Sequence, residues 1–184
     1  MKAEEIKTIV VIGAGAMGQQ IAMNTVMNGR KHSYQVILCD SFEGVIGKAE
    51  KWASDYLSGR VAKGRLTQEE ADKIADCLTI TKDVDTAVSE ADFIIEAIIE
   101  NLEIKRELFR KISRICRPDA VLGTNSSNIV SSRLADVTVN PERLLNIHYF
   151  NPALVMQLVE LVKGGHTSEE TIEAARVFAE NTGK

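Results

Sequence analysis

Short runs of apolar, β-branched residues alternate with longer segments of helical periodicity along the chain. The runs are too short for helices and several are apolar at consecutive positions, which is typical of parallel strands buried on both faces. The pattern predicts seven strands, at about Lys7–Gly13, Tyr34–Asp40, Leu78–Thr81, Phe93–Ile99, Ala120–Thr124, Leu144–Phe150 and Val155–Lys163.

The segments between these strands carry helix signals. The charged stretch from Phe42 to Cys77 splits at Lys63-Gly64, and Thr67 with Glu70 forms a capping box, so this stretch predicts an antiparallel helical hairpin. Further helices are expected at Met17–Asn28, Leu102–Arg117, Val130–Val137 (short) and Thr167–Asn181, the last capped by Thr167 with Glu170.

This order of elements predicts an α/β, Rossmann-type fold in a single domain spanning residues 1–184. We expect a doubly wound, mostly parallel sheet with the helical hairpin inserted at about 42–77.

A glycine-rich turn follows the first strand directly, in Gly13-x-Gly15-x-x-Gly18. In this context the glycines predict a diphosphate cradle at a helix N-terminus, although an ordinary tight turn also needs glycines. Asp40 ends the second strand about 20 residues after Gly18, the spacing of an acid that binds the ribose hydroxyls. A carboxylate there favours NAD over NADP, whereas the alternative for Asp40 is a strand-end cap. The residues expected to hold NAD here are Gly13, Gly15, Ala16, Met17, Gly18 and Asp40.

Charge and cysteine usage narrow the function classes. The net charge is −4 with no basic block, which argues against nucleic acid or an anionic membrane as the partner. Cys39, Cys77 and Cys116 match neither a metal-binding pattern nor a disulfide framework. We therefore expect no bound metal. Because no apolar run is long enough to cross a bilayer and no signal peptide is visible, we also expect a cytoplasmic protein.

Two polar residues interrupt the last two apolar strands, His148 in Leu144–Phe150 and Glu160 in Val155–Lys163. If these strands form a hairpin centred near Leu154, the two side chains face each other. A buried carboxylate needs a partner, and a histidine held by a carboxylate has the fixed tautomer and orientation of a general base. Spacing alone leaves a structural His–Glu pair equally open.

Two further polar groups follow strand ends. Ser126 and Ser127 could bond a substrate oxygen, although spacing alone favours a cap for the segment at Val130. Glu100 and Lys105 hold an equivalent position, where a surface salt bridge is the simplest interpretation.

Several stretches together resemble the L-3-hydroxyacyl-CoA dehydrogenases, including 3-hydroxybutyryl-CoA dehydrogenases. They are Gly-Ala-Gly-Ala-Met-Gly (13–18), Glu-Ala-Ile-Ile-Glu-Asn-Leu-Glu-Ile-Lys (96–105), Thr-Asn-Ser-Ser (124–127) and His-Tyr-Phe-Asn-Pro-Ala-Leu-Val-Met-Gln-Leu-Val-Glu (148–160). The resemblance covers nearly the whole chain and implies NAD-dependent, reversible oxidation of a short (S)-3-hydroxyacyl-CoA, in fatty acid or butyrate metabolism.

The resemblance also implies roles for single residues. His148 matches the catalytic base, Glu160 its orienting partner, and Ser127 the serine that hydrogen-bonds the substrate oxygen at C3. Lys63 resembles a lysine that contacts the CoA phosphates. Residues implied to line the cofactor site are Glu100, Lys105, Ser127 and Asn151. The polar stretch Arg30–Ser33 is a few residues longer than is usual in the family, and it is expected near the adenosine end of the cofactor.

The family continues beyond the position of Lys184 with a helical domain that carries part of the acyl pocket and most of a homodimer interface. We therefore expect this chain to be the NAD-binding domain alone. Two alternatives follow, an NAD-binding module without turnover and a related dehydrogenase of sugar acids such as L-gulonate.

Overall fold

A computed structural model describes residues 2–184, so that only Met1 of the predicted domain lies outside the described residues. A seven-stranded sheet has the order β3-β2-β1-β4-β5-β6-β7. Its strands are β1 Thr8–Ile12, β2 Gln35–Cys39, β3 Leu78–Thr81, β4 Phe93–Glu96, β5 Val121–Thr124, β6 Leu144–Tyr149 and β7 Val159–Val162. The helices are α1 Ala16–Asn28, α2 Glu43–Ala62, α3 Gln68–Asp76, α4 Val84–Ser89, α5 Leu102–Ile115 and α6 Glu169–Asn181.

The predicted doubly wound, mostly parallel sheet is confirmed. Strands β1 to β6 pair in parallel, and only β7 pairs antiparallel, with β6. The strand order reverses at β1, which lies between β2 and β4. Ligands of such sheets bind in the crevice outside the carboxyl ends of the strands at this switch point, so the topology places a site beyond Ile12 and Glu96.

Two apolar cores cover the two faces of the sheet, because successive residues of each central strand point to opposite sides. On one face Val11 packs with Ile21 of α1, and Phe93 stacks on Phe178 of α6 with ring centroids 4.4 Å apart. On the other face Val10 packs in the cluster that includes α4 and α5. This double coverage explains why the central strands are continuously apolar.

The helical hairpin is confirmed as α2 and α3. The predicted capping box at the start of α3 is present, since Thr67 Oγ1 accepts from Glu70 N at 3.2 Å and Glu70 Oε2 accepts from Thr67 N at 2.9 Å. Helix α3 therefore begins directly after Thr67, as the capping box predicted.

Several element boundaries were predicted wrongly. Strand β4 ends at Glu96 instead of Ile99, and β7 begins at Val159 instead of Val155, because apolar residues continue beyond the hydrogen-bonded ladder. Helix α6 is capped by Ser168, whose side chain accepts from Thr171 N; the predicted cap, Thr167, instead donates to the carbonyl of Leu144.

Two connections also differ from the prediction. Helix α4 was not predicted. The residue that could have indicated it is the N-cap Asp83, whose side chain accepts from the backbone N–H of Thr86. Residues 30–32 lie in a 3₁₀ helix, Gly29–His32, and Ser33 follows it at the amino end of β2, where Lys7 Nζ donates to His32 O. Asp40 follows the opposite end of that strand, so the expected position near the adenosine end was wrong.

Candidate active site

The glycine turn between β1 and α1 is shaped by close backbone approaches. Gly13 has φ +105°, and a Cβ added there would lie 2.6 Å from the carbonyl oxygen of Ala97. A Cβ on Gly18 would overlap the carbonyl oxygen of Gly13. These two glycines bring β1, α1 and the end of β4 together in a way that other residues cannot.

Gly15 is different, because a Cβ built on it would meet no heavy atom within 4 Å. It is the N-cap of α1 and caps the helix with no side chain, and the first intrahelical bond runs from Gln19 N to Gly15 O. The N–H groups of Ala16, Met17 and Gly18 precede that bond, so they lie in the first turn, at the positive end of the helix, where no intrahelical acceptor is available. An open cradle with unused N–H groups fits the diphosphate of a dinucleotide.

Asp40 lies beside this turn. Its Oδ2 accepts from Ala14 N at 2.9 Å and its Oδ1 from Phe42 N at 3.1 Å, which fixes the carboxylate and leaves further lone pairs on both oxygens. It opens into a cavity of 930 Å³, here called the Asp40 cavity. The cavity is bordered by Gly13, Gly15, Asp40, Phe42, Ala97 and Ile98, among others.

The hairpin formed by β6 and β7 pairs His148 directly with Glu160, as the sequence predicted. His148 Nδ1 lies 3.0 Å from Glu160 Oε2. Because Nδ1 faces a carboxylate, it carries the proton in the neutral ring, and Nε2 is left as the acceptor. The predicted burial of Glu160 was wrong, since its side chain is 54% exposed. Strand β7 is the edge strand of the sheet, so the charged side chain of Glu160 stays partly hydrated and loses little solvation energy.

A second cavity, of 430 Å³, lies beside His148 and is called the His148 cavity. It collects residues from the ends of β4, β5 and β6 that are far apart in the sequence. Ser127 is exposed there, and its Oγ accepts from Asn128 Nδ2 at 3.2 Å, so the hydroxyl proton remains available to a ligand. The predicted site residues on its wall are Met17, Glu100, Lys105, Ser127, His148 and Asn151.

The predicted surface salt bridge between Glu100 and Lys105 needs correction. Lys105 is 1% exposed and pairs with the fully buried Glu96, while Glu100 Oε2 lies 3.4 Å from the ammonium. Glu96 also accepts from Ile98 N at 2.8 Å and from Thr124 Oγ1 at 2.6 Å. This carboxylate therefore joins β4, β5 and α5 below the cavity.

The two neighbouring serines have different surroundings. Ser126 is buried; its hydroxyl donates to Glu100 Oε1 and accepts from Ile129 N at 2.7 Å, so it caps the following turn. Burial alone would raise the pKa of the Glu100 carboxyl, but the hydrogen bond from Ser126 and the charge of Lys105 outweigh that effect and lower it. The Ser126 hydroxyl is therefore engaged by the protein itself, whereas the exposed hydroxyl of Ser127 can reach a ligand.

Lys63 lies apart from these residues, in a third cavity of 420 Å³ between the hairpin and the β6–β7 connection. Arg60 and Arg65 line the same cavity, here called the Arg60 cavity, together with Asp55 and Gln20. Three cationic side chains against one carboxylate make this surface attractive to phosphate groups.

The model of the family described as "3-hydroxyacyl-CoA dehydrogenase, NAD binding domain" matches residues 8–184. The chain belongs to this family. NAD, the cofactor expected from the glycine turn and Asp40, is the cofactor in the family's description.

Relatives of known name agree with the family. The mouse mitochondrial hydroxyacyl-coenzyme A dehydrogenase is 32% identical over 97% of this chain and 57% of its own length. A probable 3-hydroxybutyryl-CoA dehydrogenase of Bacillus subtilis is 36% identical over 98% of this chain and 61% of its own length. The crystal structure of 3-hydroxybutyryl-CoA dehydrogenase from Escherichia coli K12 superposes with a TM-score of 0.91 at 36% identity, over 98% of this chain and 37% of that one. This chain thus spans about two thirds or less of these dehydrogenases.

Sequence reasoning missed three residues that shape the site of this family member. Glu96 is a buried, charged residue in an apolar strand, and the same feature of the sequence singled out Glu160. Thr124 supplies a hydroxyl to it, and Asn125 Oδ1 accepts from Tyr149 N at 2.8 Å, which ties the end of β5 to the end of the His148 strand.

Across residues 2–184, no three His, Cys, Asp or Glu side chains lie close enough together to hold a metal ion. The helices of the same residues include none with the length and apolar character needed to cross a membrane.

Proposed function

We propose that this chain is the NAD-binding domain of an enzyme that reversibly oxidises (S)-3-hydroxyacyl-CoA to 3-oxoacyl-CoA. The observation that carries the proposal is the 3.0 Å contact between His148 Nδ1 and Glu160 Oε2, at the mouth of a cavity that adjoins the glycine turn. A short acyl chain is favoured by the names of the 3-hydroxybutyryl-CoA dehydrogenases among the relatives.

Each residue of the candidate site has a separate role in this oxidation. NAD, when bound, supplies the acceptor for the hydride that leaves C3 of the substrate. His148 takes the proton of the 3-hydroxyl group on Nε2, and Glu160 holds Nδ1–H and stabilises the imidazolium that results. Ser127 donates its hydroxyl proton to the substrate oxygen at C3. Asn151 and Glu100, on the same cavity wall, position the nicotinamide half of the cofactor.

The test is an assay of NADH formation from (S)-3-hydroxybutyryl-CoA and of NADH oxidation by acetoacetyl-CoA. We expect both in the natural protein, and a preference for the acyl-CoA over free 3-hydroxybutyrate or L-gulonate. Rates on a free hydroxy or sugar acid that equal those on the acyl-CoA would contradict the proposal and support the sugar-acid alternative.

A second candidate is an NAD-binding module without turnover. It is favoured by the length of the relatives, of which this chain spans 57% in the mouse enzyme and 61% in the Bacillus subtilis protein. In this case residues 1–184 bind NADH but do not oxidise it when acetoacetyl-CoA is added. Calorimetry with NADH and the oxidation assay on the same sample separate the two candidates.

The Arg60 cavity leads to a prediction about the CoA moiety. Replacing Lys63 by glutamate is expected to raise KM for 3-hydroxybutyryl-CoA about tenfold with kcat changed less, because a phosphate contact contributes binding energy away from the reacting atoms. Glu103→Lys, which reverses a charge on the exposed side of α5, is the control. An unchanged KM in Lys63→Glu would remove Lys63 from the CoA site.

Asp40 leads to a prediction about cofactor choice. Replacing it by serine is expected to weaken NADH binding about tenfold or more and to improve NADPH binding, because the carboxylate that accepts from the ribose hydroxyls and repels a 2′-phosphate is gone. Fluorescence titrations with both cofactors measure the change. If Asp40→Ser keeps the preference for NADH intact, Asp40 is only a strand-end cap.

We also propose that the natural protein is a cytoplasmic homodimer acting in fatty acid or butyrate metabolism, completed by a helical domain outside residues 1–184. The lengths of the relatives support a further domain, the resemblance to the family supports the homodimer and the pathway, and three free cysteines fit a reducing cytoplasm. Light scattering on the natural protein and on residues 1–184 tests the dimer and the part of the chain that forms it.

A further inference from the structure

Glu100 and Lys105 lie on one wall of the His148 cavity, and a third charged residue, Glu96, is buried directly behind them. Glu96 and Lys105 form a buried ion pair, and Glu100 lies 3.4 Å from the same ammonium group. Two carboxylates around one ammonium leave a net charge of about −1 on this wall. Glu100 carries the excess charge into the cavity, since its side chain is 39% exposed whereas the other two are buried.

The protonation state of Glu100 follows from its contacts. Its Oε1 accepts from the Ser126 hydroxyl and from Asn128 N at 3.4 Å, and these bonds favour the ionised carboxylate. The other ionisable groups on this wall are His148 and Tyr149, and burial raises the pKa of the Tyr149 hydroxyl, so that the phenol stays neutral. Glu100 is thus the uncompensated charge that a ligand in the cavity meets.

The position of the cofactor ring follows from the two cavities that flank the glycine turn. Ala97 and Ile98 border both the Asp40 cavity and the His148 cavity. A dinucleotide held at its diphosphate by the turn, with its adenosine ribose on Asp40, would extend its nicotinamide half into the His148 cavity. This step rests on the proposed function.

We propose that the negative charge of Glu100 strengthens the binding of NAD relative to that of NADH in this chain. The nicotinamide ring carries one positive charge when oxidised and none when reduced, so a fixed carboxylate stabilises only the oxidised form. Oxidation of the substrate would remove the positive charge of a bound nicotinamide ring and create one on the imidazole of His148, whose Nδ1 lies 3.0 Å from Glu160 Oε2. Glu100 therefore stabilises the positive charge that is present before the reaction, and Glu160 stabilises the one that forms on His148.

The experiment compares dissociation constants for NAD and NADH on residues 1–184, by NADH fluorescence and by displacement of NADH with NAD. Glu100→Gln keeps the size of the side chain and an acceptor for Ser126 but removes the charge. We expect the ratio of the NAD constant to the NADH constant to rise about fivefold. Glu100→Asp, which keeps the charge, and Glu103→Gln, which removes a charge from the exposed face of α5, are expected to leave the ratio within about twofold of the original.

Equal weakening of both cofactor forms in Glu100→Gln would make Glu100 a structural contact and overturn the inference. An unchanged ratio with unchanged affinities would overturn it as well. Failure of the unmodified chain to bind either form would instead contradict the proposed function, so the two hypotheses fail in distinguishable ways. Thermal unfolding of each variant shows whether any loss of binding comes from loss of the fold.

Discussion

Replacing His148 by glutamine in the natural protein is expected to lower kcat for oxidation of 3-hydroxybutyryl-CoA about 10³-fold. Glutamine keeps a polar side chain of similar reach but cannot take up the proton of the 3-hydroxyl group. The fold should persist, because His148 packs at the end of an edge hairpin and donates to one carboxylate on the surface side. Steady-state kinetics with saturating NAD gives the measurement.

Two measurements make this result specific. The affinity for NADH should change less than about threefold, because the imidazole acts on the substrate proton and contributes little to ground-state binding of the cofactor. Glu160→Gln should lower kcat by a smaller factor, about 10- to 100-fold, since it loosens the imidazole without removing it. Turnover by His148→Gln within tenfold of the original protein would show that another group is the base.

The parts of this site that were predictable from the sequence rest on local geometry. A buried strand that enters a glycine-rich turn specifies the β1–α1 connection, because only glycine tolerates the backbone approach at Gly13 and Gly18. The pairing of His148 with Glu160 was predictable because a hairpin has one centre, and equal distances from it place two residues opposite each other.

Burial was harder to predict, because it depends on which strand lies next to which. Glu160 was expected to be buried since its neighbours are apolar, yet β7 is the last strand of the sheet and its side chains are part-exposed. Lys105 was expected at the surface, since lysine usually is, yet it lies under the strand ends with Glu96. The local sequence around Glu160 does not show that its strand is an edge strand, and the local sequence around Lys105 does not show that Glu96 is its partner.

The misplaced stretch at 30–33 is a different kind of error. A segment that precedes a parallel strand must lie at the amino end of the sheet, whereas cofactor groups gather at the carboxyl end. The order of elements alone therefore assigns Gly29–His32 to the end of β2 opposite Asp40, and the structure shows it there.

The buried pair below the cavity leads to the largest expected change in stability. Replacing Lys105 by methionine is expected to lower the free energy of unfolding by about 3–5 kcal/mol, because it leaves the carboxylate of Glu96 buried without its counter-charge. Glu96 would keep only the neutral donors Ile98 N and Thr124 Oγ1. Denaturant unfolding of residues 1–184 measures the loss, and NADH binding should fall with it, since the strand ends that border both cavities depend on the pair.

The double variant Glu96→Gln with Lys105→Met is the matched control. It removes the uncompensated charge but keeps an amide that can accept from Ile98 N, so we expect it to recover at least half of the stability that Lys105→Met loses. Recovery would assign the cost to the orphaned charge, whereas a double variant as unstable as the single one would assign it to the lost packing of the lysine stem. A loss below about 1 kcal/mol in Lys105→Met would mean that water or a neighbouring cation compensates Glu96 and that the pair does not hold the site together.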